Sequence, residues 1–213
     1  MAVQTATDPH PGTMFFGGGN APTNYNIADL NEQNVELGLK LHVFKGADFV
    51  PTSVDTDGTA HYSVTSGISP LQSNRADWNF DYVVDTGINH SASTLGDFGF
   101  KIVITELAGS AHGTSATFDL DPASHVWVNE THAPGSGFGG DDFNTPASAA
   151  VESKVAENSV NIGFVALQAI FGPLASSTAP STQYDIQLEA FSHDAHGNHQ
   201  TQIGSVHDVL TLV

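Results

Sequence analysis

The amino-acid sequence predicts an all-β fold, an antiparallel, jelly-roll-like β-sandwich of about nine strands with one short helix. Three observations lead there. Short segments alternate apolar and polar residues with a period of two, as strands with one buried face do. Turn formers separate nearly all of them: DTDG at 55–58, DTG at 85–87, DP at 121–122, APGSGFGGDD at 133–142 and HDAHGN at 193–198. The composition, with 38 Ser and Thr and 21 Gly in 213 residues, suits strands and turns better than helices. A chain of this length buries roughly 70% of its unfolded surface, so a core is expected without disulfides, and the chain has no Cys.

Residues 1–26 are rich in Gly, Pro, Asn and Thr and show neither the strand nor the helix period. They are read as an extended N-terminal arm ahead of a single domain over 27–213. In Val35–Phe44, the odd positions Val35, Leu37, Leu39, Leu41 and Val43 alternate against Glu36, Lys40 and His42. Ala60–Val64 follows, then Trp78–Val84, where Trp78, Phe80, Tyr82 and Val84 form one face. Phe98–Glu106, Ser115–Leu120, His125–Val128 and Val160–Leu167 come next, and Gln183–Phe191 and Thr201–Val213 complete the set. The helix is placed from Pro146 to about Glu157. Thr145 caps it, Pro146 suits its first position, and Ala150, Val151 and Val155 would cover one open end of the sandwich.

The formal net charge is −18, from 23 acidic and five basic side chains. The acidic density is ordinary; the scarcity of Lys and Arg makes the charge. Lys40, Lys45, Arg75, Lys101 and Lys154 are scattered, which excludes nucleic acid as a partner and disfavours an anionic membrane surface. No apolar run is long enough to insert in a membrane as a helix. The opening MAVQTATDPHPG has no basic n-region and no apolar h-region and so no Sec leader: a leader has been trimmed away, the protein is cytosolic, or export uses another route.

Four groups of residues carry candidate chemistry. Asp55 and Asp57 in DTDG, Asp119 and Asp121, and Asp141 and Asp142 in a Gly-rich loop pair carboxylates as Ca²⁺ sites do, though none completes the loop motif of a Ca²⁺-binding hand. His193, His196 and His199 crowd one hairpin loop, and imidazoles there suit Zn²⁺ or Cu²⁺; a solvated turn is the plainer reading. Trp127, beside Asp121 and Glu130, is the aromatic residue best placed to stack on a sugar. Gly204–Asp208 sets Ser205, His207 and Asp208 side by side. Along a strand, Ser205 and His207 share a face and Asp208 points the other way, which argues against a catalytic triad.

The stretches VELGLKLHVF, WNFDYVVDTG, VAENSVNIGFV and YDIQLEAFSHDAHG resemble a group of largely uncharacterised bacterial extracellular proteins that often carry a sorting or anchoring tail. The resemblance covers most of residues 35–212. It implies a secreted β-sandwich, no activity and no functional residue. The end, HDVLTLV, looks like the terminal signal of substrates of bacterial type I exporters, and it also reads as the last strand. The expected function is a non-enzymatic, extracellular or cell-surface structural protein, a subunit of a filament or biofilm matrix. It would assemble with copies of itself through the arm, Met14, Phe15 and Phe16 adding to a neighbour's sheet edge. The alternatives are a Ca²⁺-dependent carbohydrate-binding module, with a polysaccharide partner, and a metal-binding protein using the His loop.

Overall fold

In a computed structural model of the chain, the described residues are 4–6, 25–88, 91–120, 130–132, 155–193 and 199–213. They form twelve strands, two short α-helices and a 3-10 helix at Leu95–Asp97. In chain order the strands are β1 (Gln4–Ala6), β2 (Tyr25–Leu30), β3 (Val35–Val43), β4 (Ser53–Val54), β5 (Ala60–Val64) and β6 (Trp78–Asp85). After them come β7 (Phe98–Ala108), β8 (Ser115–Leu120), β9 (Glu130–His132), β10 (Val155–Val160), β11 (Gln183–His193) and β12 (His199–Leu212). Helices α1 (Val165–Phe171) and α2 (Leu174–Ser177) lie between β10 and β11.

The fold is all-β, in two six-stranded sheets. The first runs β1-β2-β3-β6-β10-β9 and the second β4-β5-β12-β11-β7-β8. Every pairing is antiparallel except β5 with β12, which run parallel from Ala60 opposite Asp208 to Val64 opposite Leu212. That pair departs from the wholly antiparallel expectation. β5 and β12 are far apart in sequence, so no tight turn obliges them to run in opposite directions.

One apolar cluster takes side chains from both sheets. Leu37, Leu39, Leu41, Trp78, Phe80 and Tyr82 come from the first, and Ile102, Ile104, Ile186, Leu188, Leu210 and Leu212 from the second. The rings of Trp78 and Tyr184 meet across it with centroids 5.8 Å apart, and Phe171 of α1 meets Tyr184 edge-on at 5.7 Å. The alternation in the sequence therefore identified this inner face correctly. Gly204 marks how closely the sheets approach, since a Cβ there would sit 2.2 Å from Leu30 Cδ2.

Two elements differ from expectation between residues 155 and 171. Val155, Ala156 and Glu157, expected to end a helix, belong to β10, which pairs with β6 along its whole length. Residues 161–167, expected to continue a strand, turn and enter α1. Asn161 is the cause. It is fully buried, and its Nδ2 donates to Ala76 O at 3.1 Å, Trp78 O at 2.9 Å and Asn79 Oδ1 at 2.6 Å. Its Oδ1 accepts from Ala76 N at 2.9 Å and Gly163 N at 2.8 Å. The side chain so ends β10 and ties it to the start of β6, and Gly163 fits there because a Cβ would lie 2.6 Å from Asn74 O. The boundary of the arm also moves, because Tyr25 and Asn26 are fully buried members of β2. The remainder of the expected helix, and the expected strand His125–Val128, lie outside the described residues.

Candidate functional site

Strand β12 is longer than its neighbour β5, which pairs with it only from Asp208 onward. Ahead of that point, Ile27 and Ala28 of β2, the turn residues Asp57, Gly58 and Thr59, and Ser205, Val206 and His207 line a pocket of about 230 Å³. The turn is built by Gly58 N donating to Asp55 O at 3.0 Å and Thr59 N to Asp57 Oδ1 at 3.0 Å. That backbone hydrogen bond from Thr59 holds the exposed Asp57 carboxyl below its usual range, and His207 adds to the effect.

Behind the pocket, Asn26 joins the two sheets. Its Nδ2 donates to His207 O at 2.8 Å, Asp208 Oδ1 at 2.9 Å and Gly58 O at 3.2 Å. Asp208 faces the interior, and burial pushes its carboxyl up to about 7; the Asn26 bond opposes that rise and the Asp185 charge adds to it. The neighbouring Tyr62 hydroxyl is likewise pushed up by burial and then by Asp208.

On the opposite face of β12, Ser205 Oγ lies 3.0 Å from His207 Nε2. The strand alternation thus separates Asp208 from this pair as the sequence predicts, but β11 brings another acid. Asp185 Oδ1 stands 3.9 Å from His207 Nδ1. The order hydroxyl, imidazole, carboxylate is that of an acyl-transfer centre. The carboxylate nevertheless stands beyond hydrogen-bond reach of Nδ1, and its other oxygen accepts from Gln187 Nε2. The Gly58 and Thr59 N–H groups lining the pocket are already spent inside their own turn, so they offer no oxyanion donors. The arrangement suits a small polar ligand better than nucleophilic attack.

The other candidate feature is the edge of the first sheet. β1 pairs antiparallel with β2, Gln4 opposite Ile27, Thr5 opposite Asn26 and Ala6 opposite Tyr25. The sequence reading expected the arm to add to a neighbour's sheet edge; here Gln4–Ala6 lie on the edge of their own chain's sheet. Met14, Phe15 and Phe16 lie outside the described residues.

The remaining sequence candidates are dispersed. Asp55 accepts from His61 Nε2 at 2.9 Å at the surface, and Asp119 lies 3.8 Å from Lys101. Asp121, Trp127, Asp141, Asp142 and His196 lie outside the described residues. His193 and His199 are register partners across the β11–β12 hairpin. Among the described residues, no group of three or more His, Cys, Asp or Glu side chains is placed to hold a metal ion. Asn26 and Asp185 were missed by sequence reasoning. The first sat inside the presumed arm, and the second reaches His207 only through the β11–β12 register.

No family model, curated protein or solved structure matches the chain.

Proposed function

We propose that the chain is a non-enzymatic extracellular structural protein, a subunit of a surface filament or biofilm matrix. Its sheets would form a jelly-roll-like sandwich, and its N-terminal arm would join it to its neighbours. The carrying observation is the three-residue ladder of β1 on β2. Ala6 and Tyr25 are directly opposed there, although residues 7–24, eighteen in all, separate them in sequence. A segment of that length reaches up to about 60 Å when extended. The same ladder therefore forms whether the strand comes from its own chain or from a neighbour, which is the condition for exchange. The extracellular address draws on the Lys-poor, Cys-free composition and the resemblance of the strand segments.

A net charge of −18 makes like copies repel, so assembly strengthens with added salt or a divalent cation. The test is light scattering on the full chain and on residues 25–213. The cut falls before Tyr25 because that residue and Asn26 are part of the buried sheet. The full chain is expected to form oligomers at moderate salt, and the shortened chain to stay a folded monomer. The same oligomer from both, or a monomeric full chain at every salt concentration, refutes the proposal.

A second reading, a carbohydrate-binding module, draws on the pocket beside Asp57, Ser205 and His207, whose acceptors and hydroxyl suit sugar hydroxyls. Its Ca²⁺-dependent form expects a chelator to lower the melting temperature and abolish glycan binding. A melting curve indifferent to both Ca²⁺ and chelator rules that form out.

A further inference from the structure

The outer face of the first sheet holds a lysine that is nearly inaccessible. Lys40 on β3 is 1% exposed, and Asp81, its register partner on β6, is fully buried. Lys40 Nζ lies 3.5 Å from Asp81 Oδ2 and 3.3 Å from Asp48 Oδ1, and 4.9 Å above the centre of the Tyr25 ring. On the far side of the Asp81 carboxyl, Oδ1 lies 2.9 Å from His42 Nε2. The other imidazole nitrogen, Nδ1, lies 2.8 Å from the Val43 carbonyl and so must carry a hydrogen there. A single proton is therefore shared between His42 Nε2 and Asp81 Oδ1. The site thus holds an amine, a carboxyl group it touches, a second carboxylate on the amine, and an imidazole on the leaving oxygen. The Lys40 amine and the Asp81 carboxyl are shut off from water, while Asp48 is half-buried at the rim.

From this geometry we infer that Lys40 and Asp81 condense to an intramolecular amide that staples β3 to β6. Asp48 takes a proton from the ammonium, and the freed amine attacks Asp81 Cγ. The Nζ–Cγ bond forms, the first proton passes from Asp48 to Oδ1, and a second nitrogen proton takes its place on Asp48. Oδ1, carrying that proton and the one it shared with His42, leaves as water when the Cγ–Oδ1 bond breaks. Amine and carboxylic acid thus give an amide and one water, with no oxidant or cofactor. Two features favour the reaction here. Groups held at contact reach effective concentrations on the order of 10⁵–10⁸ M. The product also replaces two buried ionic groups, whose desolvation is costly, by one neutral group. The inference does not depend on the arm or on the proposed assembly.

The test is the intact mass of the full chain under denaturing conditions, followed by peptide mapping. The mass is expected to fall below the sequence mass by one water, with a branched peptide joining Lys40 to Asp81. Lys40→Arg, which keeps the charge but lacks the nucleophile, is expected to show its full sequence mass. Asp81→Asn is expected to lose ammonia instead of water. A wild-type mass equal to the sequence mass overturns the inference. So does a lost water that maps elsewhere, for example to a succinimide at Asp57-Gly58. Because the wild-type chain decides the matter, a variant that fails to fold leaves the test intact.

Discussion

Strand β3 of the first sheet and strand β11 of the second both alternate in sequence, yet they end in different surroundings. In β11, Tyr184, Ile186, Leu188 and Ala190 are buried, while Asp185, Gln187 and Glu189 between them keep contact with solvent. In β3 the residues between the leucines are buried too, among them Glu36, Lys40 and His42. Their neighbours on β6 and β10, Asp81, Asp85 and Glu157, are buried with them. Alternation reports which residues point together, and it leaves open whether the second face meets water. Charged residues on a face cut off from water must be held by other groups, so the same substitution costs far more in the first sheet than in the second.

Lysine truncation is the strongest way to break this comparison. Lys40→Ala removes the side chain that joins β3 to Asp81 and faces Asp48, as ammonium or as amide, and leaves both carboxylates without it; a loss of about 3–5 kcal/mol is expected by denaturant unfolding. A loss below about 1 kcal/mol would mean that the outer face of the first sheet is as solvated as that of the second.

Next in size is an effect of pH between the sheets. Burial raises the Asp208 carboxyl from 3.8 to about 7. The folded state therefore holds a proton that the unfolded state has released, and stability falls as pH rises through that window. The penalty approaches about 4 kcal/mol above pH 7 and is absent below about pH 4. Asp208→Asn keeps the shape and an acceptor for Asn26. It is expected to raise the melting temperature by several degrees at pH 8 and to change it little at pH 4. An equal shift at both values would show that the carboxyl does not titrate in this window.

The smallest effect belongs to the second sheet's outer face. Lys101 is partly exposed beside Asp119, which is largely in solvent, and its Nζ also lies 5.0 Å over the Phe191 ring. Lys101→Ala is expected to cost about 0.5–1 kcal/mol, an exposed ion pair and ring contact together.

Much of the fold was legible because one buried face imposes a period of two. Ala60–Val64 and Ser115–Leu120 coincide with their predicted limits, and the strands beginning at Val35, Trp78, Phe98 and Gln183 differ only at their ends. The misreadings share a cause. β10 reads VAENSV, whose two faces are both largely buried, so Val155 and Ala156 on opposite faces blurred the alternation that marks a strand. The break at Asn161 depends on hydrogen bonds to residues 76–79, which no local pattern reveals. Of the pocket, Ser205 and His207 were legible as a shared face. Asn26, Asp57–Thr59 and Asp185 gather around them only through pairings distant in sequence.

The first sheet thus combines a sealed charged face with an edge that already accepts the arm, and exchange of that arm is the central claim. Gln4 and Ile27 are register partners, and the chain has no Cys of its own, so the double variant Gln4→Cys/Ile27→Cys reports directly on where the arm lies. Oxidised at assembling salt and run without reductant, it is expected to give a ladder of covalent dimers and higher species. A single monomer band carrying an internal disulfide would contradict the claim, because every arm would then rest on its own sheet.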